Sequence, residues 1–580
     1  MGLARRSCFA MGLLLPMAAW AQTDTAGRVS SEADRALQAA PGSRAKRSDT
    51  AAPRLQPLRA PSDALSDSSG AARVDVVRFV VEGSTAFDAK AFDAELAPLA
   101  GPALAFADLA RAADAVAEMY RRRGLLALAY LPRQTIRDGV VQIEVQESRV
   151  AAVDVSRGDG VRLRNELALS LLRRHVREGD LVDVDAIERA MLALNGLPGV
   201  HASTELTSGE LGATDLRLRL DEDRRWSGQL GTSNHGSRSL GRALADARVD
   251  LNDALGWGER FSLGLLSSGA PLTLVRLGAI VPVHTSGTLL GANTTWLRFE
   301  DRNTSSSAAV LPSGSSRSST IELSQPLARR RAGTWWVTLG AETRALRDRS
   351  VNGADRDLQL WRLGVNGSID SDETSTAASL EWRSGRAKLL NPADQAQDEG
   401  TPAQPGAQVA GRFDKLVAGL SHLRGISAGW NVWASLRAQA ALRRNLEDSE
   451  KLAAGGADGV RGYPTGEAPS DTLTLATIEL RRSLPMTGAL WEASAFIDSA
   501  WLQRWKETMP LGNNPDGPIP NGYRLSAAGV GLSVAGANGL QLRLTLARPF
   551  GGNPGRNAEG LNADAARDGW RAWCQLLWQL

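Results

Sequence analysis

LWEASAFIDSAW, residues 490–501, carries a tryptophan near each end, and Trp491 and Trp501 lie ten residues apart. In an extended chain alternate side chains share a face, so Trp491, Ala493, Ala495, Ile497 and Trp501 point one way. Glu492, Ser494, Phe496, Asp498 and Ala500 point the other way. Ten residues of strand cover about 33 Å, and a tilt near 40° reduces that to a height of roughly 25 Å. This is the separation of the two aromatic girdles of a membrane-spanning β-barrel. LQLRLTLA (540–547) sets Leu540, Leu542, Leu544 and Leu546 against Gln541, Arg543 and Thr545. TLATIELRR (474–482) sets Ala476, Ile478 and Leu480 against Thr477, Glu479 and Arg481. A soluble sandwich alternates in the same way, so the girdle spacing, not the alternation, points to lipid.

Outward from this stretch, helical periodicity fades over 225–580. Sixteen strands are expected, starting near 225, 242, 258, 273, 289, 317, 334, 355, 374, 411, 429, 472, 491, 522, 540 and 570. The connections after even-numbered strands are short, as in ALGW, HTSG, MTGA and AGANG. Several after odd-numbered strands are long, among them LNPADQAQDEGTPAQPGAQ and the 447–471 segment. Short turns at one end and long loops at the other are the pattern of an even-stranded outer-membrane barrel. Tryptophan follows the same division: of 16, one lies in the first 21 residues and the other 15 between 226 and 580.

Upstream, 74–222 holds two similar units, each of the order strand, helix, helix, strand, strand. In the first, VDVVRFVVEG is a strand and FADLARAADAVAEMYRRRG a helix with Leu109, Ala113, Val116 and Tyr120 on one face. ALAYLPRQ and GVVQIEVQE form a hairpin across Asp138-Gly139. In the second, DAIERAMLALNGLPG is a helix with Ile187, Ala190, Met191 and Leu194 on one stripe, and Asp185 and Glu188 form a D-x-x-E capping pattern. About 75 residues each is enough for a small two-layer α+β domain.

The start, MGLARRSCFAMGLLLPMAAWAQ, has Arg5 and Arg6, a short apolar stretch and Ala19-Trp20-Ala21, a secretory signal peptide cleaved after Ala21. The competing reading, a membrane anchor, needs about 20 apolar residues, more than are present. Cleavage removes Cys8 and leaves Cys574 alone, which excludes an intrachain disulfide. The five histidines lack ligand spacing, so no metal is expected, and a net charge of +3 gives no reason to expect nucleic acid. Residues 22–72 are polar. SSEADRALQA (30–39) is either a short helix capped by Ser30 or Ser31 or plain disorder, followed by an extended linker.

GGADGVRGYPTGEAPSD (455–471) places five glycines and two prolines around Arg461 and Tyr463. Such density specifies a fixed, non-repetitive backbone path. On these residues alone, an arginine pointing into solvent remains open.

The chain resembles the two-partner secretion transporters of the outer membrane (the TpsB class, the haemolysin and filamentous haemagglutinin transporter family), within the POTRA-barrel superfamily. The resemblance rests on YRRRGLLALAYLPRQTIRDGVVQIEVQES (120–148), LNGLPGV (194–200) and VRGY (460–463). FIDSA (496–500) is similar to the family's F-x-D-x-G element, with Ala500 for the glycine; Ser148 also replaces a glycine, and the chain ends in Leu580 rather than an aromatic residue.

The resemblance implies a 16-stranded antiparallel transmembrane β-barrel (224–580), preceded by two α+β POTRA domains (73–149 and 150–223). Before these would come a signal peptide (1–21) and a linker with a possible plug helix (22–72). It implies a loop-6 motif, Val460, Arg461, Gly462 and Tyr463, folded back into the pore, with Phe496 and Asp498 on the barrel wall and Arg461 meeting Asp498. The implied function is transport: periplasmic POTRA domains recognise an unfolded exoprotein, which the barrel passes to the cell surface of a Gram-negative bacterium. The implied partners are a secreted β-helical adhesin or haemolysin, outer-membrane lipid, and the barrel-assembly machinery for the chain's own insertion. No cofactor and no enzymatic activity are implied. With no phosphate loop or catalytic triad, the drive would come from the cargo folding outside. A barrel-assembly insertase of the same superfamily is the alternative, and a plain porin, which needs neither POTRA domains nor VRGY, a more remote one.

Overall fold

The computed structural model describes residues 54–55 and 73–580, apart from 209–211, 302–312, 331, 350–352, 402–403, 508–518 and 558. The signal peptide and the 30–39 helix lie outside these residues.

Alternation closes the sheet on itself. Sixteen strands run in chain order around one barrel, from Trp226–Ser233 to Arg571–Gln579, and these two pair antiparallel to seal it. Every other neighbouring pair is antiparallel too, and the strands are numbered 1 to 16 here. Each starts within four residues of its expected position. The largest difference is strand 6, which begins at Ser313 rather than near 317. Its serine run has no apolar face to announce it, and pairing with Phe299 and Glu300 carries it. On strand 13 (Ala489–Gln503) Ile497 is 56% exposed and Asp498 0%. A closed barrel leaves no free edge, so wall peptides pair with a neighbouring strand rather than with water, as lipid requires.

Among the described residues no helix is long and apolar enough to cross a membrane. The crossing is made by strands.

The first N-terminal unit is built on Arg78–Glu82, Val140–Glu147 and Ala127–Tyr130, in that spatial order, with the first pair parallel. The expected single first strand is broken at Val77: Arg73–Val76 turns aside to pair with Gly101–Ala105 in a separate two-stranded sheet. Helix Phe106–Arg122 buries Leu109, Ala113, Val116 and Tyr120 against the main sheet. Glu147 ties the unit together. Its carboxylate accepts from the backbone N–H of Thr85 (2.7 Å) and Ala86 (2.9 Å) and from the Tyr120 hydroxyl (2.9 Å). Burial opposes its ionisation, but these donors outweigh burial and hold its pKa below the usual range.

The second unit contains strands Arg149–Arg157, Val200–Ser208 and Ala213–Glu222 and helices Asn165–Arg173 and Val184–Leu194. The helix cap differs from expectation. Asp183 is the N-cap, its Oδ1 accepting the Ala186 N–H at 2.9 Å, while Asp185 sits in the first turn, where the helix dipole favours it. Val184 occupies the first helical position, so the start falls two residues before the D-x-x-E pattern. The linker also departs from a plain tether. Arg54–Leu55 adds in parallel to Glu205–Leu206 and covers part of the Val200–Ser208 edge.

This unit seats on the short-turn end of the barrel. The Arg164 N–H donates to the Gly256 carbonyl (3.0 Å) and Arg162 Nε to the Asp253 carbonyl (2.9 Å), both in the turn between strand 2 (Leu244–Asn252) and strand 3 (Arg260–Gly269). The opposite end carries the long loops.

Candidate functional site: a loop that crosses the lumen

Residues 442–471 join strand 11 (Trp430–Ala441) to strand 12 (Thr472–Met486). They are the sixth connection on the long-loop side. Instead of standing outside, the segment folds into the barrel, where Val460 and Tyr463 are fully buried with Leu525 and Ala527 of strand 14 (Gly522–Gly536).

At the tip, Arg461 and Asp498 form a two-pronged pair. Arg461 Nε donates to Asp498 Oδ2 at 2.9 Å and Nη2 to Oδ1 at 2.8 Å, and the Arg461 backbone N–H adds a third bond to Oδ2 at 3.1 Å. Thr477 of strand 12 donates its hydroxyl to Oδ1 at 2.9 Å, which fixes the carboxylate. Arg461 Nη1 reaches Glu479 Oε2 at 3.1 Å, and the guanidinium carbon lies 3.2 Å from the Phe496 ring centre. Burial works against the charge on Arg461, but the Asp498 and Glu479 carboxylates outweigh it and raise its pKa above the ordinary value.

The loop backbone is held as well. Trp573 of strand 16 donates its indole N–H to the Arg461 carbonyl at 2.8 Å. Tyr463 donates to the Gly552 carbonyl (3.3 Å) and Thr465 to the His235 carbonyl (2.7 Å). A Cβ at Gly462 would lie 2.7 Å from both the Ala527 methyl and the Pro549 nitrogen, so only glycine lets the loop lie on the wall here. Ala500 is fully buried in the cluster holding Val460 and Tyr463, so its methyl packs beneath the loop.

The loop also has a stem, anchored across the lumen. Glu450 is fully buried. Its carboxylate meets Lys415 Nζ of strand 10 (Gly411–Ser427) at 2.8 Å, Arg344 Nη1 of strand 7 (Gly333–Asp348) at 3.1 Å and Arg383 Nη1 of strand 9 (Thr374–Leu389) at 4.0 Å. Lys415 Nζ also donates to the Glu450 carbonyl at 2.7 Å, and Arg356 of strand 8 (Arg356–Asp370) reaches Glu447 at 3.2 Å. Burial disfavours the Glu450 charge, but the three cations win and hold its pKa down at about 2. Lys451 Nζ lies 3.1 Å over the Trp505 ring.

Thus the stem binds strands 7 to 10, and the tip binds strands 12 to 16, strand 15 being Leu540–Phe550, and the end of strand 1. The loop spans the pore between the two walls.

Sequence reasoning named Val460, Arg461, Gly462, Tyr463, Phe496 and Asp498, and the structure brings all six together. It missed Glu479, which faces the lumen directly beside Phe496 in the strand 12–13 register. It also missed Glu450, because EDSEK (447–451) has the composition of a solvated turn. The available signal was inward-facing cations on strands 7, 9 and 10, charges that a narrow lumen does not leave unpaired. Among the described residues no group of His, Cys, Asp and Glu could hold a metal ion.

A sixteen-stranded barrel with periplasmic α+β units and a VRGY loop clasped to an F-x-D strand defines an outer-membrane transporter of the POTRA-barrel class. Comparison with known proteins narrows this. The family model "Haemolysin secretion/activation protein ShlB/FhaC/HecB" matches residues 212–507, and the model "POTRA domain, ShlB-type" matches 74–148. The chain is 25% identical over 461 residues to the heme/hemopexin transporter protein HuxB of Haemophilus influenzae (strain 86-028NP), covering 78% of this chain and 79% of that protein. It is 24% identical over 479 residues to the outer membrane transporter CdiB of Escherichia coli, covering 79% and 76%. The solved structure of CdiB from Escherichia coli superposes with a TM-score of 0.68 at 20% identity, covering 96% of this chain and 98% of that one. BamA from Haemophilus ducreyi lacking POTRA domains 1–3 superposes at 0.50 and 16% identity, covering 88% and 100%.

The first family match spans just over half of the chain, and the chain belongs to the ShlB/FhaC/HecB family. It is an outer-membrane transporter of two-partner secretion, which takes up an unfolded exoprotein through its periplasmic POTRA domains and passes it through the barrel.

Proposed function

We propose that the loop-6 bridge is the gate of this transporter and that its cargo is a large secreted β-helical protein of the adhesin or haemolysin type. The observation that supports the gate is the Arg461–Asp498 pair, which holds the loop across the lumen that cargo must traverse. At about 4 Å and an effective dielectric near 20, the gross attraction is roughly 4 kcal/mol, much of it offset by desolvation. Such a pair suits a positioning latch better than a net stabiliser. Export needs no fuel here: cargo that folds outside is removed from the transport equilibrium and draws the remaining chain forward. Among the relatives, HuxB is named for heme and hemopexin, and the name of CdiB states no cargo.

The test is co-expression with a candidate large secreted β-helical protein. Secretion that depends on both partners supports the reading; secretion unaffected by loss of this chain sinks it. The insertase alternative predicts a different result, a general loss of outer-membrane barrels on depletion of the protein.

We further propose domain limits at 73–149, 150–223 and 224–580, barrel-assembly machinery as the partner for insertion, and a pore plug within residues 22–60. Removing 22–60 is expected to raise single-channel conductance in planar bilayers while the barrel still inserts. Unchanged conductance would reduce the segment to a tether.

A further inference from the structure

The outer wall of the barrel carries an arrangement that the transport mechanism does not use. Strands 9 and 10 pair with Arg386 directly opposite Arg412. Both side chains are exposed, and their neighbours in sequence, Ala387 and Phe413, are buried toward the lumen, so the two arginines face outward. Directly opposed residues on adjacent strands have Cβ atoms about 5 Å apart, and like charges placed so repel.

The nearby carboxylates are engaged elsewhere. Asp414 pairs with Arg443 at 2.7 Å, and Asp357 of strand 8 pairs with Arg347 at 2.9 Å. Gln359 is the residue beside Arg386 on strand 8. Among the described residues neither Arg386 nor Arg412 has a carboxylate partner. Exposed Lys388 follows on the same face. A wall that sets two guanidiniums against each other calls for an anion between them.

Their height says which anion. Below the pair on the same face come Trp382 opposite Leu416, then Leu380 and Leu420, all exposed. Trp361, 61% exposed, lies opposite Ser384, two residues below Arg386. The pair stands four residues above Trp382 and Leu416, about 13 Å along the strands and roughly 10 Å in height at a tilt near 40°. Strand 9 ends and strand 10 begins at the long-loop side, so this is the outer rim. An apolar column topped by tryptophan, with paired arginines above it, matches an amphiphile with acyl chains below and phosphate above. Guanidinium forks hold phosphate oxygens bidentately, which suits Arg better than Lys at this position.

We propose that Arg386 and Arg412 form a binding site on the outer face of strands 9 and 10 for the phosphate of an outer-leaflet lipid, whose acyl chains lie on Trp382, Leu416, Leu380 and Leu420. The bound lipid neutralises the opposed pair and fixes this side of the barrel in the outer leaflet, opposite the anchorage of the loop stem on the inner face of the same strands.

The test is native mass spectrometry of the full-length protein in detergent, titrated with bisphosphorylated lipid A, dephosphorylated lipid A, phosphatidylglycerol and inorganic phosphate. Wild type is expected to retain one bisphosphorylated lipid A at least fivefold more strongly than the dephosphorylated form. Arg386→Gln/Arg412→Gln is expected to lose that preference while keeping the heat-modifiable mobility of a folded barrel. Arg386→Lys/Arg412→Lys, which preserves charge and therefore assembly, is expected to fall between them. Equal retention of phosphorylated and dephosphorylated lipid A by wild type overturns the proposal. So does inorganic phosphate displacing the lipid at low millimolar concentration, which would make the site a free-anion site, or phosphatidylglycerol matching lipid A, which would remove the outer-leaflet assignment. An unchanged preference in the Gln double variant overturns it as well.

Discussion

Arg461→Ala is expected to reduce cargo secretion at least tenfold while leaving the amount of folded barrel in the outer membrane close to normal. Truncation removes three bonds to Asp498, made by Nε, Nη2 and, through displacement of the loop, the backbone N–H; it also removes the bond to Glu479. Buried Asp498 is then left with the Thr477 hydroxyl and no cation, while Glu479 keeps Arg481 at 3.1 Å, and breaking a buried pair in this way costs about 3–5 kcal/mol. That is enough to change the position of a loop without unfolding a sixteen-stranded barrel. Asp498→Ala is expected to give a similar loss, and the double variant no more than either single one, because two groups acting as one unit are non-additive. Arg461→Lys is expected to recover only part of the secretion, since an ammonium cannot bridge Oδ1 and Oδ2 as the guanidinium does. Secretion titres and heat-modifiability on the same membranes separate transport from assembly. Losses that add in the double variant would show that the two residues act separately.

The barrel is legible in the sequence because each wall residue faces either lipid or lumen. That leaves a period-two signal strong enough to place every strand start within four residues. Trp491 and Trp501 add an absolute length scale, which alternation lacks. The loop tip is legible for another reason: Gly462 must approach Ala527 too closely for any side chain, so the requirement is written as a glycine beside the arginine. Glu479 is not legible in this way. Its contact with Arg461 depends on the register that sets it beside Phe496, a relation between strands that neither strand shows alone. The pairing of Arg54–Leu55 with Glu205–Leu206 is a backbone event and leaves no side-chain pattern. Glu450 is hidden by composition, since a short acidic run has the same composition whether it meets water or three cations.

That hidden carboxylate supports the other large expected effect. Glu450→Lys is expected to abolish secretion and to lower the yield of heat-modifiable barrel severalfold, a stronger assembly defect than Arg461→Ala produces. The substituted ammonium would join Arg344, Arg383 and Lys415, all at 8% side-chain exposure or less, in place of the carboxylate that now faces them. Each like-charge approach at about 4 Å adds roughly 4 kcal/mol of gross repulsion at an effective dielectric near 20. Glu342 and Glu381 are each already paired, with Arg344 and Arg383, so they offset only part of it. Reversing the pair is the decisive arm. Lys415→Glu combined with Glu450→Lys returns one carboxylate and one ammonium to the cluster and is expected to restore at least half of the barrel yield. Restoration stops short of wild type because Lys415 also donates to the Glu450 carbonyl and to Gln439, bonds that a carboxylate at 415 cannot make. If the reversed pair is as defective as Glu450→Lys alone, the stem is held by packing rather than by charge. If Glu450→Lys assembles and secretes normally, the loop has one clasp, at Arg461, and the far wall holds nothing.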